Sequence, residues 1–237
     1  MRISKASSAF LELAAESNKK VDSFTVVIAS SALRMSLPPL CVSPLFCVCY
    51  LYGSQFLLQA ASLTGISDPV LAGQELLKNG VYTKWVIVKM GPKGSILITN
   101  SSITCAPAFK VNIIDTVGCG DSFVAAVAFG FIHDLPLSYT LTLANAVGAA
   151  TAMGCGAGRN VASLGKVLEL LKESNLNEDD KFWDEVLNDN VNSQDMTVLS
   201  KMVVNGNSQV NRVSLQKVVS AVLPKLEFAP KKTGSFK

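Results

Sequence analysis

The chain has 237 residues, 49% of them apolar, enough for a sizeable core and for one full domain with appendages. Formal charge is +3, from 21 Lys and Arg against 18 Asp and Glu, and these side chains are scattered rather than striped, so nucleic acid is not an implied partner. Six cysteines without paired zinc spacing or the density of a disulfide scaffold point to a reducing compartment, and the lone His133 leaves little material for a histidine triad or metal site.

Residues 1–62 read poorly: a short helix near 10–15, an apolar strand-like run at 24–28, then a segment broken by Pro38, Pro39 and Pro44. No charged residue occurs between Arg34 and Asp68. A run of about 20 apolar residues suffices to cross a membrane, but the prolines and the interruptions at Ser36, Ser43, Gly53, Ser54 and Gln55 argue against a span. Glu12, Glu16 and Asp22 argue likewise against a cleavable leader.

From Leu63 the pattern sharpens. Asp68 before Pro69 predicts a helix N-cap with proline at the first position, Leu71, Ala72, Leu76 and Leu77 give an apolar face, and Gly80 closes the helix. The apolar run 85–88 predicts a buried strand, Gly91-Pro92-Lys93-Gly94 a turn, and 95–99 a second strand. Residues 104–107 and 110–114 are expected to extend the β region. Two helices follow, at about 121–133 with Phe123, Val124, Val127, Ala128 and Phe131 at helical spacing, and at about 138–153, rich in small residues that permit close packing. After the loop 154–158, Leu164, Val167, Leu168 and Leu171 mark a last clear helix. Beyond it the composition turns polar, and residues 175–237 are expected to form a tail, partly helical near 182–187 and 213–223 or disordered.

Chemistry concentrates in Asp115-Thr116-Val117-Gly118-Cys119-Gly120-Asp121, between a strand-like and a helix-like run. Two glycines flanking one small residue let backbone N–H groups converge on an anion, and the helix that follows adds the partial positive charge of its N-terminus. Asp121, where the loop becomes a helix, is placed to accept a proton from an attacking hydroxyl. A phosphate cradle beside a base is the minimal equipment for phosphoryl transfer.

This segment resembles the Asp-Thr-x-Gly-Ala-Gly-Asp signature of the ribokinase-like (pfkB-type) carbohydrate kinases, with Cys119 in the alanine position. Leu63-Thr64-Gly65-Ile66, the turn 88–94, the lead-in 107–111 and Gly156-Ala157-Gly158 occur in the family's order, so the resemblance covers about 63–171, the ATP-binding half. It implies a three-layer α/β/α fold with a mostly parallel sheet, truncated on its N-terminal side. It also implies that Asp121 is the base and that the amides of Gly118, Cys119 and Gly120 form the anion hole. Lys89, Gly91, Gly94, Asn145, Gly156 and Ala157 would border the nucleotide, and Asp115 a monovalent cation such as K+, with ATP and Mg2+ as companions.

The departures matter as much. The family's sugar-binding region and lid are not recognisable in residues 1–62, and its Asn-x-x-Glu magnesium motif falls on Phe56 and Gln59, neither of which offers a charged oxygen. Three parts are therefore expected: an atypical segment 1–62, a catalytic part 63–174 and the tail 175–237. The leading reading is an ATP-dependent kinase acting on an alcohol group of a sugar or nucleoside, cytoplasmic or in an organelle, with a homodimer open. The alternative is a non-catalytic nucleotide-binding or interaction fragment of such a kinase. Cys119 at a helix start is expected to be a reactive thiol when no anion is bound, with Cys155 as an oxidation partner weighed against two ordinary small residues.

Overall fold

The computed structural model describes residues 47–49, 64–79, 84–156, 162–173, 175–178, 180–190, 195–200 and 210–227. Phe56, Gln59, Gly80, Ala157 and most of the charge-free window lie outside the described residues.

Strand β1 (Cys47–Cys49) precedes helix α1 (Pro69–Asn79), which starts as its residues dictate, the Asp68 carboxylate accepting the Leu71 N–H at 2.7 Å. Strands β2 (Trp85–Lys89), β3 (Ser95–Thr99) and β4 (Ser102–Ala106) form an antiparallel meander. A single 3-10 turn (Gly91–Lys93) joins the first pair, and Gly94 after it has φ +106° with its α-carbon side against backbone: an added Cβ would lie 2.2 Å from the Ala106 oxygen. The second link is tied by the Thr99 hydroxyl, which accepts the Ser102 N–H at 2.8 Å.

Helices α2 (Cys119–Ile132) and α3 (Leu137–Ala152) follow, then α4 (Leu164–Glu173) and α5 (Asp180–Asn190). Strands β5 (Asp195–Ser200) and β6 (Val210–Ser214) and helix α6 (Leu215–Glu227) complete the order. The described sheet runs β1-β2-β3-β4-β5-β6, with β1–β2, β4–β5 and β5–β6 parallel. It is a mixed sheet in which parallel pairings outnumber antiparallel ones; the antiparallel pairs are those of the meander, whose links are so short that they can only reverse the chain.

Alternation along the central strands sorts the core onto two faces. Trp85, Ile87 and Leu97 pack with residues of α2, α3, α4 and α6, whereas Val86, Val88, Ile96 and Ile98 pack with residues of α1 and α5. The result is the expected α/β class in three layers.

Two expectations are corrected. Residues 110–114 are not a strand: the Lys110 N–H donates to the Asn175 oxygen at 2.8 Å and the Ile114 N–H to the Ala152 oxygen at 2.8 Å, so this stretch satisfies other ends instead of a ladder. Of residues 175–237, expected as a partly helical tail, the described ones form helices near the expected positions and also supply β5 and β6 to the sheet. Apolar residues such as Met196, Val198, Leu199 and Leu215 are spread among polar ones, and the pairing of β5 with β4 and the packing of α6 on the sheet bring them into the core.

Candidate active site

Lys89 ends β2 on the face shared with α2 and α3. Its register partner on β3 is Ser95, whose hydroxyl donates to the Asn145 Oδ1 of α3 at 2.9 Å. Asn145 in turn donates through Nδ2 to the oxygens of Ala106 (2.9 Å) and Pro107 (3.2 Å). Both amide protons are thus used inside the protein. The residue braces α3 against β3 and the end of β4, and that brace, rather than a free edge for adenine, is what the side chain provides.

Lys89, Gly91, Gly94, Cys119, Gly120 and Asn145 line one cavity of about 450 Å³, together with Phe123, Lys110 and Asn177. Six positions singled out from the sequence therefore converge, although they come from β2, the turn after it, α2 and α3. Asn177 is a lining residue that sequence reasoning missed. It follows a segment docked by the Phe109–Leu176 bridge, its N–H donates to the Ala108 oxygen, and its Nδ2 donates to the Pro92 oxygen, each at 2.8 Å. Nothing in a polar stretch read as tail marks such docking.

The loop before α2 is built from its own polar groups. Gly118, at φ +86°, is the N-cap in the left-handed region, which explains the glycine. The Cys119 N–H turns back to the Thr116 oxygen at 3.3 Å, so one of the three expected anion-hole amides is engaged in the loop. The Asp115 carboxylate accepts the Val117 N–H at 3.0 Å through Oδ1 and the Gly156 N–H at 2.8 Å through Oδ2. Those amides hold its carboxyl below the ordinary range, and they join the 115–121 loop to the loop after α3. Asp115 acts here as a clasp, and among the described residues no group of three His, Cys, Asp or Glu stands ready for a metal ion.

Lys89 is only 9% exposed, with Nζ 4.9 Å from the Phe123 ring centroid. It is no solvated strand end. Burial lowers its pKa to about 7, against the upward pull of Cys119 and Asp121. Asp121 itself is exposed on the first turn of α2 and is not part of the cavity wall, but its charge reaches Lys89, which is. The Cys119 thiol is corrected: partial burial raises its pKa, outweighing the opposing pull of Lys89, with Asp115 adding to the rise. It is a poorly ionised thiol, and neither it nor Cys155 is in a disulfide.

Residues 55–163, just under half of the chain, match the model of the pfkB family carbohydrate kinases. The resemblance carried by the signature loop thus holds over that part of the chain. The chain is 40% identical over 88 residues to the 1-phosphofructokinase of Haemophilus influenzae, covering 37% of this chain and 28% of that one. It is 34% identical over 109 residues to the ribokinase of Lactococcus lactis, covering 46% and 36%. It therefore spans little more than a third, at most, of the length of these curated relatives. Among solved structures, the ribokinase of Thermotoga maritima aligns with TM-score 0.46 at 23% identity over 53% of this chain and 41% of that one.

Among the described residues, no helix is long and apolar enough to cross a membrane.

Proposed function

We propose that this chain carries the phosphoryl-transfer half of a carbohydrate kinase that moves the γ-phosphate of ATP to an alcohol group of a sugar or nucleoside. The observation that carries the reading is the convergence of Lys89 and the start of α2, through Cys119 and Gly120, on one cavity wall, with the charge of Asp121 directed at the same lysine. The relatives named ribokinase and 1-phosphofructokinase support the acceptor class.

In this reading the acceptor hydroxyl gives its proton to the Asp121 carboxylate as its oxygen bonds to the γ-phosphorus, and the bond to the bridging oxygen breaks to release ADP. Lys89 as ammonium and the amides opening α2 hold the charge on the transferring group, and a preorganised donor of this kind is worth about 3–4 kcal/mol in the barrier. Gly91 and Gly94, on the cavity wall, bring backbone close to the nucleotide, and Gly156 is tied to the signature loop by Asp115. Mg2+ would travel with ATP, and K+ would sit near Asp115.

A second reading, nucleotide binding without catalysis, is favoured by the position of Asp121 off the cavity wall. One experiment separates them: ATP binding and product formation over a panel of pentoses, hexoses, inositol and nucleosides. The kinase reading expects turnover that Asp121→Asn lowers by about 10²–10⁴-fold with unchanged thermal unfolding. ATP binding without turnover on any acceptor supports the second reading, and absence of ATP binding removes both.

A further inference from the structure

Binding phosphate does not exhaust what Lys89 offers. A lysine at an exposed position is protonated at neutral pH and is a poor nucleophile. Here the amine is nine-tenths buried beside the Phe123 ring on a wall that also carries Val111 and Ile113. With its pKa lowered to about 7, a substantial fraction of molecules present the neutral amine at neutral pH. The groups that act on it are Cys119 and Asp121 of α2, both favouring the charged form, while β3 and α3 contribute the uncharged Ser95 and Asn145 and the cavity wall also carries Lys110.

The same wall holds Cys119 and Gly120, the amide-rich start of α2, which attracts an anion. One small molecule can answer both features if it carries a phosphate for the helix start and a carbonyl carbon for the amine. We propose that Lys89 is a reversible covalent site for phosphorylated aldehydes, which occupy the cleft as imines. The proposal rests on the reading of the start of α2 as a phosphate cradle and names a further ligand class for that site. Open-chain sugar phosphates and pyridoxal 5′-phosphate share the required chemistry.

The step balances without an external reagent. The Nζ lone pair forms a bond to the aldehyde carbon, and the amine proton passes to the aldehyde oxygen, with water as the carrier. The resulting carbinolamine loses hydroxide plus a proton as one water, leaving C=N. Cys119 is a weak competitor, since burial keeps its thiol protonated.

The test uses the full chain incubated with pyridoxal 5′-phosphate, reduced with borohydride and digested for mass spectrometry, with phosphate-free pyridoxal and with ATP as a competitor in parallel. The expected result is a reduced adduct on the peptide containing Lys89 ahead of exposed lysines such as Lys78, Lys84 and Lys172. Pyridoxal should label that peptide about tenfold less, in line with the worth of a helix start for an anion. Lys89→Arg, checked for folding by thermal unfolding, should lose the adduct, while the wild-type peptide map stands alone if the variant does not fold. Adducts confined to exposed lysines, or equal labelling by pyridoxal, overturn the proposal. Protection by ATP supports it as a site in the nucleotide cleft. Labelling of Lys89 that ATP binds without blocking, or that occurs in a chain to which ATP does not bind, keeps the aldehyde site and sinks the kinase reading instead.

Discussion

A charged residue at the end of a strand buried along its whole length loses most of its hydration, and Lys89 bears that cost. Its folded pKa, about 7, lies below the ordinary 10.5, so between those values the unfolded chain binds more protons than the folded one. Stability therefore rises with pH across that window and is flat below it. Lys89→Met should remove this dependence: the variant is expected to be more stable at pH 7 by up to a few kcal/mol, on the order set by a shift of this size. The gap should close as pH approaches 10, a pattern read by urea unfolding at several pH values. A gap that stays constant with pH would contradict the account. Asn145 works by the opposite logic, since its three hydrogen bonds are all internal. Asn145→Ala leaves the Ser95 hydroxyl and two carbonyls short of partners and is expected to destabilise by about 2–3 kcal/mol, measurable by the same method. Neither role was legible in the sequence. The sequence sets both Lys89 and Asn145 beside a nucleotide, and partners about 30 to 50 residues away decide what each does.

Helices α2 and α3 lie close enough that their small residues become steric requirements. An added Cβ at Gly130 would meet the Thr140 side chain, with Oγ1 at 2.4 Å and Cβ itself at 2.9 Å. Gly73 of α1 is equally tight on paper, but the nearest atom is the far end of Ile98, its Cδ1 at 2.2 Å. A threonine Cβ cannot swing away, whereas an isoleucine tip can. Gly130→Ala is thus expected to lower stability by about 2–3 kcal/mol, and Gly73→Ala by about 1 kcal/mol or less once the gain in helix propensity is counted. Thermal unfolding of the two variants side by side checks the order, and equal losses would show that Thr140 yields as easily as Ile98. The sequence announced both helices through periodicity and small residues, with α2 starting two residues earlier than expected because Gly118 can adopt the left-handed cap. What it misjudged was the stretch 110–114. Its alternation resembles a strand, yet its amides satisfy the ends of α3 and the segment before α5.

At the scale of the molecule, the sheet runs on past β4 into β5 and β6, with α6 covering one face through Leu215, Val218 and Val222. A chain ended after residue 190 would leave the β4 edge unpaired and uncover Ile103 and Cys105, the register partners of Met196 and Val198, and the face under α6 as well. It is expected to lose cooperative thermal unfolding and to aggregate, as unpaired apolar edges do. Circular dichroism and size-exclusion chromatography would report this, and a monomer with an intact sharp transition would show that β5, β6 and α6 are dispensable. Alone, the sequence determined the local pattern: the Asp68 cap, the first two meander strands, the helices around the signature loop, and the glycines at positions 94 and 118 that can take positive φ. These follow from each residue's own sterics and from periodicity within a dozen positions. Only the tertiary structure decided which side chains share a wall, that the polar stretch after Asn175 is part of the sheet, and that Lys89 is buried. Burial and convergence depend on pairings between segments distant in the chain, and no local pattern encodes the dielectric that a side chain will meet.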